Sequence, residues 1–176
     1  MTWEKGSAKV EMGDEHENII CEWLSSIGYY PIIYRMPNGG AQIKVKKGKT
    51  YICPDVEVYL ENGHINLKML VEVKSLSQPS LLNYFDFSRR KKGYPVDDAK
   101  NGVGLHQKNF DSYFSIYQDF GYDVRVLFVI TESGKWYWEY AKNMNEDKIN
   151  AGNLFNDGKQ CYFWYLSSLR TDFRYK

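Results

Sequence analysis

Two acidic residues and one lysine have types and a spacing that could form a metal-dependent catalytic site. Asp55 follows Pro54, sixteen residues separate Asp55 from Glu72, and Lys74 lies two residues after Glu72. Two carboxylates offer the hard oxygen ligands that Mg²⁺ and Mn²⁺ prefer. A metal held there could bind a phosphate oxygen and lower the pKa of a bound water. Because Lys74 could orient that water or stabilise a charged transition state, the pattern indicates phosphodiester cleavage.

The same residues have a plainer interpretation. A solvated sheet face commonly carries mixed charges, and a surface ion pair contributes little to stability. The bare string Pro-Asp, followed by Glu-x-Lys within about twenty residues, should arise by chance in roughly one chain in twenty at average composition. The string alone is therefore weak, and the catalytic interpretation depends on whether the fold brings the three side chains together.

The sequence around these residues predicts a β-hairpin. Tyr51 to Tyr59 and Ile65 to Lys74 are predicted strands, and Asn62-Gly63 between them is the strongest short hairpin signal. With that pair as the two loop residues, Val56 faces Met69, and every other cross-strand pair follows from this register. Cross-strand partners point to the same side of a sheet, so the register fixes which residues share a face.

In this register the hairpin has one apolar face and one face that collects the charges. The apolar face comprises Val56, Val58, Leu60, Ile65, Leu67, Met69, Val71 and Val73. The other face comprises Asp55, Glu57, Tyr59, Asn66, Lys68, Leu70, Glu72 and Lys74. Asp55 and Glu72 become diagonal neighbours with backbones about 7–8 Å apart, and Lys74 shares their face. The uniformly apolar face supports the register, which places two carboxylates and one ammonium around a common point.

Glu17 is a further candidate for the metal site. It lies on the apolar side of a helix predicted from about Asp14 to Ile27, which Asp14 can cap and Gly28 can end. The apolar stripe comprises Ile20, Leu24 and Ile27, with Trp23 on its flank. A carboxylate on this stripe is costly unless it is paired. Glu17 therefore either contributes to the metal site or reaches solvent in the first turn, where the helix dipole favours it.

Gln107 is a candidate near the start of a second helix, predicted from Leu105 to Phe120. It shares a helical face with three aromatic residues, Phe110, Phe114 and Tyr117. Its amide could orient a water or a phosphate, although a polar residue without a role is at least as common at a helix end.

The order of predicted elements indicates an α/β fold with a central mixed sheet flanked by helices. Further strands are predicted at Tyr29 to Tyr34, Val124 to Thr131, Lys135 to Tyr140 and Gln160 to Leu166. The nearly continuous apolar run at Val124 is typical of a strand at the centre of a sheet. A length of 176 residues suits one domain. We expect residues 1–176 to form it, with a long inserted segment at about 76–104.

Two basic clusters flank the hairpin and could bind DNA phosphates. The first comprises Lys44, Lys46, Lys47 and Lys49, and the second comprises Arg89, Arg90, Lys91 and Lys92. The formal net charge is only +1, so attraction to a polyanion must come from such clusters. The alternative is a pair of solvated basic loops.

A rival class is a binding module without catalysis, suggested by the aromatic runs at 136–138 and 162–165. At strand spacing alternate rings face opposite sides, so at least half of them are expected in the core. The three cysteines favour free thiols in a reducing compartment. The longest apolar run, Val126 to Ile130, is far too short to span a bilayer. We therefore expect a soluble, cytoplasmic protein.

The motifs, taken in order, resemble the PD-(D/E)XK nuclease superfamily. Pro54-Asp55, followed by Glu72-Val73-Lys74, matches its signature, and Gly13 to Glu17 resembles the opening helix of many members. Leu105-His106-Gln107, with the aromatic helix and the strand Val124 to Ile130, is similar to the third conserved unit of Holliday-junction resolvases in this superfamily. The resemblance covers about Met12 to Tyr140.

This resemblance implies a restriction-endonuclease-like core and a Mg²⁺- or Mn²⁺-dependent cut in DNA. It implies Asp55, Glu72 and the main chain of Val73 as metal ligands, Lys74 as the catalytic lysine, and Glu17 and Gln107 as auxiliary residues. Resolvases of this type are usually more basic, and the stretch from Ser75 to Gly104 exceeds a simple connection. A restriction-type enzyme that reads a short sequence is therefore an alternative. Two coordinated cuts would need two sites, as a homodimer would provide.

Overall fold

The computed structural model describes residues 4–34, 43–60, 63–81, 101–152 and 158–171. Within these ranges the helices are α1 (Glu4–Ser26), α2 (Gln107–Phe120) and α3 (Ala141–Asp147). The first strands are β1 (Tyr29–Ile33), β2 (Ile43–Lys46), β3 (Lys49–Ile52), β4 (Val56–Leu60), β5 (Gly63–Leu76) and β6 (Ser80–Leu81). They are followed by β7 (Asn101–His106), β8 (Asp123–Ile130), β9 (Lys135–Tyr140), β10 (Ile149–Gly152) and β11 (Cys161–Tyr165). A 3₁₀ helix at Leu166–Ser168 comes last.

A five-stranded mixed sheet lies at the centre of the described part of the chain, in the order β1-β4-β5-β8-β9. β5 and β8 are parallel, and the other neighbours are antiparallel. On one face α1 contributes Ile20 and Leu24 to an apolar core. On the opposite face α2 contributes Phe110, Tyr113 and Ile116 to a second core. The predicted fold class, a central mixed sheet flanked by helices, is confirmed.

The four strands predicted outside the hairpin are confirmed to within one residue at each end (β1, β8, β9 and β11). β8 explains the continuous apolar run, because its residues alternate between the two cores and seven of its eight are buried. No helix among the described residues has the length and apolarity to cross a membrane.

The first helix differs from its prediction at both ends. It begins at Glu4, so Asp14 lies inside the helix instead of capping it. It ends at Ser26, and Gly28 follows with a φ of 91°. Because the chain leaves the helical path there, Ile27 is 42% exposed and does not extend the buried stripe.

The predicted strand from Tyr51 to Tyr59 is wrong as a single element. β3 ends at Ile52 and β4 begins at Val56, with Pro54 between them. Proline has no N–H group with which to continue a strand ladder. β3 instead pairs with β2 across a tight turn in which Lys47 and Gly48 have positive φ values of 50° and 77°. The first basic cluster therefore lies on a hairpin that the sequence analysis missed.

The β4–β5 register differs from the prediction by two residues. Val56 faces Val71 instead of Met69, and bulges near Tyr59 then shift the register so that Leu60 pairs with Gly63. A shift of two residues preserves which face a side chain occupies, whereas a shift of one would reverse it. The predicted apolar face is confirmed for Val56, Val58, Met69, Val71 and Val73, which all lie in the core under α1.

Two residues of that predicted face lie elsewhere because of the bulges. Leu67 packs against the core on the opposite face, and Leu60 is 44% exposed. The side chain of Ile65 lies outside the described residues.

A second sheet was not predicted. It has the order β10-β11-β7-β6 within the described ranges. Leu105 and His106 belong to β7, so the second helix begins two residues later than expected, at Gln107. In β11, Phe163 and Trp164 are fully buried. The aromatic run therefore belongs largely to the core.

Candidate active site

Asp55 and Glu72 come together where β4 begins and β5 approaches its end. Since Val56 faces Val71, Asp55 lies level with Glu72 across the hairpin, and not diagonal to it. The Asp55 carboxylate leans over β5, and its Oδ2 accepts a hydrogen bond of 3.1 Å from the Val73 N–H. Two residues that are far apart in sequence thus share one small region of the sheet.

Lys74 completes this group from the same strand. Its Nζ lies 2.5 Å from Oε1 of Glu72, and the lysine side chain is partly exposed. Alternate residues of a strand share a face, so this contact follows from their spacing. The structure therefore brings together the three residues on which the sequence analysis depends.

The face that carries these charges is covered, although the sequence suggested an open polar face. α2 packs across it, and Glu72 is only 1% exposed. A buried carboxylate must be compensated by ion pairs, hydrogen bonds or a metal ion. The plainer interpretation, a solvated surface ion pair, is therefore wrong for Glu72.

Tyr113 is a site residue that the sequence analysis missed. It lies on α2 and is fully buried. Burial raises the pKa of its hydroxyl well above the usual value, and the charges of Glu72 and Asp55 raise it further. The buried face of α2 is Phe110, Tyr113 and Ile116. The predicted helical face, Phe110 with Phe114 and Tyr117, is rotated about the helix axis from this buried face. The spacing of three residues between positions 110, 113 and 116 could have predicted the buried face from the sequence.

The site holds two carboxyl groups beside one ammonium group, an arrangement that favours the protonated form of Asp55. Burial raises the pKa of Asp55 to about 8, and the neighbouring Glu72 carboxylate contributes to the same shift. Lys74 and the Val73 N–H oppose the shift without cancelling it. For Lys74, burial alone would lower the pKa, but Glu72 and Asp55 together raise it above its usual value. Lys74 therefore remains a cation.

The two oxygens of the Glu72 carboxylate differ, because Oε1 lies against the Lys74 ammonium and Oε2 does not pair in the described part of the chain. Oε2 of Glu72 has no hydrogen-bond partner among the residues that the structure describes. Leaving a buried charged acceptor unpaired is costly. The orphaned oxygen and the raised pKa of Asp55 are the features that a divalent cation between the two carboxylates would relieve.

We expect the stability of the metal-free protein to report this strain. The folded pKa of Asp55, about 8, lies above the value of about 3.9 for an unfolded chain. The protonated carboxyl thus contributes stability that is fully present below about pH 4 and is lost as pH rises through about 8. In EDTA, the melting temperature of wild type should therefore fall relative to that of Asp55→Asn as pH rises from about 4 to about 8. A difference that stays constant with pH would contradict the strained carboxyl.

Glu17 lies at the margin of the site. It projects from α1 and is half-buried. Its negative charge raises the pKa of both Asp55 and Lys74, although less than the other groups do. The structure thus places the Glu17 carboxylate near enough to influence the two residues.

Gln107 lies further away. Its Nε2 donates a 2.7 Å hydrogen bond to the Tyr162 hydroxyl, and its N–H donates to the Gln160 carbonyl at 2.8 Å. Within the described part of the chain, its amide forms no hydrogen bond with Asp55 or Glu72. The structure therefore does not bring Gln107 into direct contact with the two carboxylates.

The first basic cluster is largely engaged within the protein. Lys44 Nζ lies 2.6 Å from Oε1 of the buried Glu57, and Lys49 Nζ lies 2.8 Å from Oδ2 of Asp119. Lys46 donates to the Asp119 carbonyl, and Lys47 is exposed at the turn. The second basic cluster, Arg89 to Lys92, lies outside the described residues.

The ligand set for a metal is small. Among the described side chains, no three His, Cys, Asp or Glu residues are grouped closely enough to hold a metal ion. Mg²⁺ commonly binds through one or two carboxylates and keeps several waters or binds substrate phosphates. Asp55 and Glu72 fit that requirement.

The chain is an α/β protein whose central mixed sheet carries the paired carboxylates. No family profile matches the sequence, and no curated protein matches it.

Among solved structures, the chain is similar to Hjc from Archaeoglobus fulgidus, a Holliday junction resolvase, with a TM-score of 0.51 and 12% identity. That alignment covers 91% of each chain. D212, a nuclease from a fusselovirus, aligns over 97% of this chain and 88% of its own, with a TM-score of 0.46 and 11% identity. The likeness to Hjc confirms the predicted resemblance to Holliday-junction resolvases at the level of the fold.

Proposed function

We propose that this protein is a nuclease that hydrolyses phosphodiester bonds in DNA with the help of Mg²⁺ or Mn²⁺. The observation that carries the proposal is the buried, uncompensated Oε2 of Glu72 beside Asp55 and Lys74. A purely structural ion pair rarely leaves a buried carboxylate oxygen without a partner. Such a cost is typical of a functional site that is completed by a ligand.

Asp55 and Glu72 would hold the metal ion, with the main-chain carbonyl of Val73 as a further ligand and Glu17 acting directly or through water. The ion would supply Lewis acidity and lower the pKa of a bound water. The carboxylates fit this role because they are hard anionic oxygens whose charges one lysine does not balance.

Lys74 would act as a fixed positive charge in this reaction. Because Glu72 and Asp55 raise its pKa, it does not readily lose its proton and is poorly suited to be a general base. Its ammonium would instead orient the attacking water and stabilise the negative charge that develops on the phosphate. Tyr113 and the packing of α2 would keep bulk water away from the buried side of Glu72.

DNA with a branched structure is the substrate class that we propose, and a four-way junction is its first candidate. The fold likeness to a Holliday junction resolvase supports it. A homodimer would provide the two active sites that symmetric cuts need. Free thiols at Cys21, Cys53 and Cys161 accord with a reducing, cytoplasmic location.

Burial of Trp138, Phe163 and Trp164 weighs against the aromatic binding module, because those rings cannot stack on a ligand.

The test is incubation of the protein with linear duplex, single strand, flap and four-way junction DNA in Mg²⁺ or Mn²⁺. We expect cutting that EDTA abolishes, with the branched substrates preferred. Cutting confined to one duplex sequence would favour the restriction-type alternative. Binding without cutting in either metal would overturn the enzyme proposal and favour the binding module.

A further inference from the structure

A cleft of about 800 Å³ opens beside the start of α2, apart from the paired carboxylates. Its walls come from the end of β3, the β7–α2 junction and the segment before β11. The lining residues are Ile52, His106, Gln107, Lys108, Asn109, Asp111, Lys159 and Gln160. The volume lies in the range of ordinary ligand sites, about 300–1,000 Å³.

Hydrogen bonds between β3 and α2 connect the wall of the cleft to the active site. Ile52, in its wall, lies three residues before Asp55. The Ile52 N–H donates to Oγ of Ser112 at 2.5 Å, and that hydroxyl donates to the Ile52 carbonyl at 3.1 Å. Ser112 precedes Tyr113, which lies against Glu72. The cleft and the carboxylates therefore share the same helix and the same connection between strands.

The lining of the cleft contains several hydrogen-bond donors and two lysines. Lys108 and Lys159 come from separate segments, and Asp111 is the one acidic residue among the lining residues. His106 provides no side-chain cap to α2, and the first turn contains no acidic residue. The partial positive charge at this helix end is therefore not neutralised by a carboxylate of that turn.

The lysines of the β2–β3 hairpin differ from Lys108 in their ion pairs. Lys44 and Lys49 lie against Glu57 and Asp119, which offset their charges. Lys108 forms no ion pair with the residues that the structure describes, and it is exposed. Lys108 therefore offers a phosphate an exposed charge that no carboxylate of the described residues offsets through an ion pair.

The lining also indicates which part of a nucleic acid the cleft would bind. Its lining residues include no Phe, Tyr or Trp ring on which a base could stack. Ammonium, amide and main-chain N–H donors are the groups that proteins use for phosphate and sugar oxygens.

We propose that this cleft binds the sugar-phosphate backbone of the DNA strand next to the scissile bond. The proposal rests on the proposed nuclease function and names a positioning surface for it. In this arrangement Lys108 and Lys159 bind phosphates, and the strand continues past Ile52 towards Asp55 and Glu72.

The test is a binding titration of a labelled four-way junction over a range of salt concentrations, in EDTA so that no cutting occurs. Each phosphate contact contributes about 0.9 to the slope of log K against log salt for duplex DNA. The Lys108→Ala/Lys159→Ala variant should therefore lose about 1–2 from that slope. Lys108→Gln, which keeps most of the side-chain length, should lose about 1.

The matched control is Lys68→Ala/Lys142→Ala, which removes the same charge from the opposite end of the central sheet. Lys68 precedes Met69, which pairs with the first residue of β8, and Lys142 follows the end of β9, which pairs near the start of β8. The control should keep the wild-type slope.

An equal loss of slope in both variants would mean non-specific attraction and would overturn the cleft proposal. A wild-type slope in Lys108→Ala/Lys159→Ala would also overturn it. If that variant has a wild-type slope while wild type cuts DNA, only the cleft proposal fails. If wild type neither binds nor cuts DNA, the proposed function fails with it.

Discussion

Replacing Glu72 with Gln is expected to abolish Mn²⁺ binding at the site and to leave the metal-free protein at least as stable as wild type. Oε2 of Glu72 is buried without a partner in the described part of the chain, and Glu72 also raises the pKa of Asp55. The substitution removes the buried negative charge of Glu72 and its repulsion with the Asp55 carboxylate. The Asp55 carboxylate remains as a counter-charge for the Lys74 ammonium. Functional sites commonly show this trade between stability and activity.

Calorimetry with Mn²⁺ and thermal unfolding in EDTA measure the two effects. Glu57→Gln is the matched control, because Glu57 is also buried on this face, but it accepts from Lys44 at 2.6 Å and from Tyr59 at 2.5 Å. The control should keep Mn²⁺ binding and lose about 1–3 kcal/mol of stability, since it disturbs a satisfied buried pair. Asp55→Asn should lose Mn²⁺ binding as Glu72→Gln does. Unchanged binding in both site variants would remove the metal assignment.

The sequence could predict that Asp55, Glu72 and Lys74 share a face of the sheet, because a register error of two residues leaves each side chain on the same face. The predicted pairing of Val56 with Met69 was wrong by two residues, yet Asp55, Glu72 and Lys74 kept their common face. The apolar residues beneath them imposed that face, since Val58 and Val71 must point into the core under α1. Alternation therefore carried the prediction, whereas the turn residues did not fix the register.

The covering of the site could not be predicted from the same pattern. A face rich in charges along two strands suggests solvent, but α2 lies across it and buries Glu72. Whether a polar face is covered depends on the packing of an element more than thirty residues further along the chain. The partners of the lysines are equally non-local, since Lys49 lies against Asp119, seventy residues away.

The second sheet was missed for a local reason. β7 contains Gly102 and Gly104, and glycine disfavours a strand on propensity alone. A Cβ atom at Gly102 would lie 1.9 Å from a ring carbon of Phe163 in β11. The glycine thus allows the two strands to approach around a buried ring, which is a requirement of tertiary packing that no strand propensity contains.

Replacing Lys74 with Met is expected to lower the cleavage rate by about 10²–10³ while Mn²⁺ binding persists. Met retains most of the length and of the apolar stem but removes the ammonium that lies 2.5 Å from Oε1 of Glu72. Asp55 and Glu72 remain to bind the metal, and they do so without a competing cation. The metal-free variant should also be less stable than wild type, because Glu72 loses its ion-pair partner. That change is opposite in sign to the one expected for Glu72→Gln.

Single-turnover cleavage at saturating DNA and Mn²⁺ separates this chemical effect from a loss of binding. The control is Lys68→Met, which removes a lysine from the same strand six residues earlier and should cut at the wild-type rate. Lys74→Met should show near-normal affinity for DNA and metal, since neither the carboxylates nor the cleft beside α2 is altered. Raising the pH should not restore its rate, because the missing group is a fixed charge and not a proton acceptor. A wild-type rate in Lys74→Met would show that the lysine only offsets the charge of Glu72, and the paired carboxylates would then have to act without it.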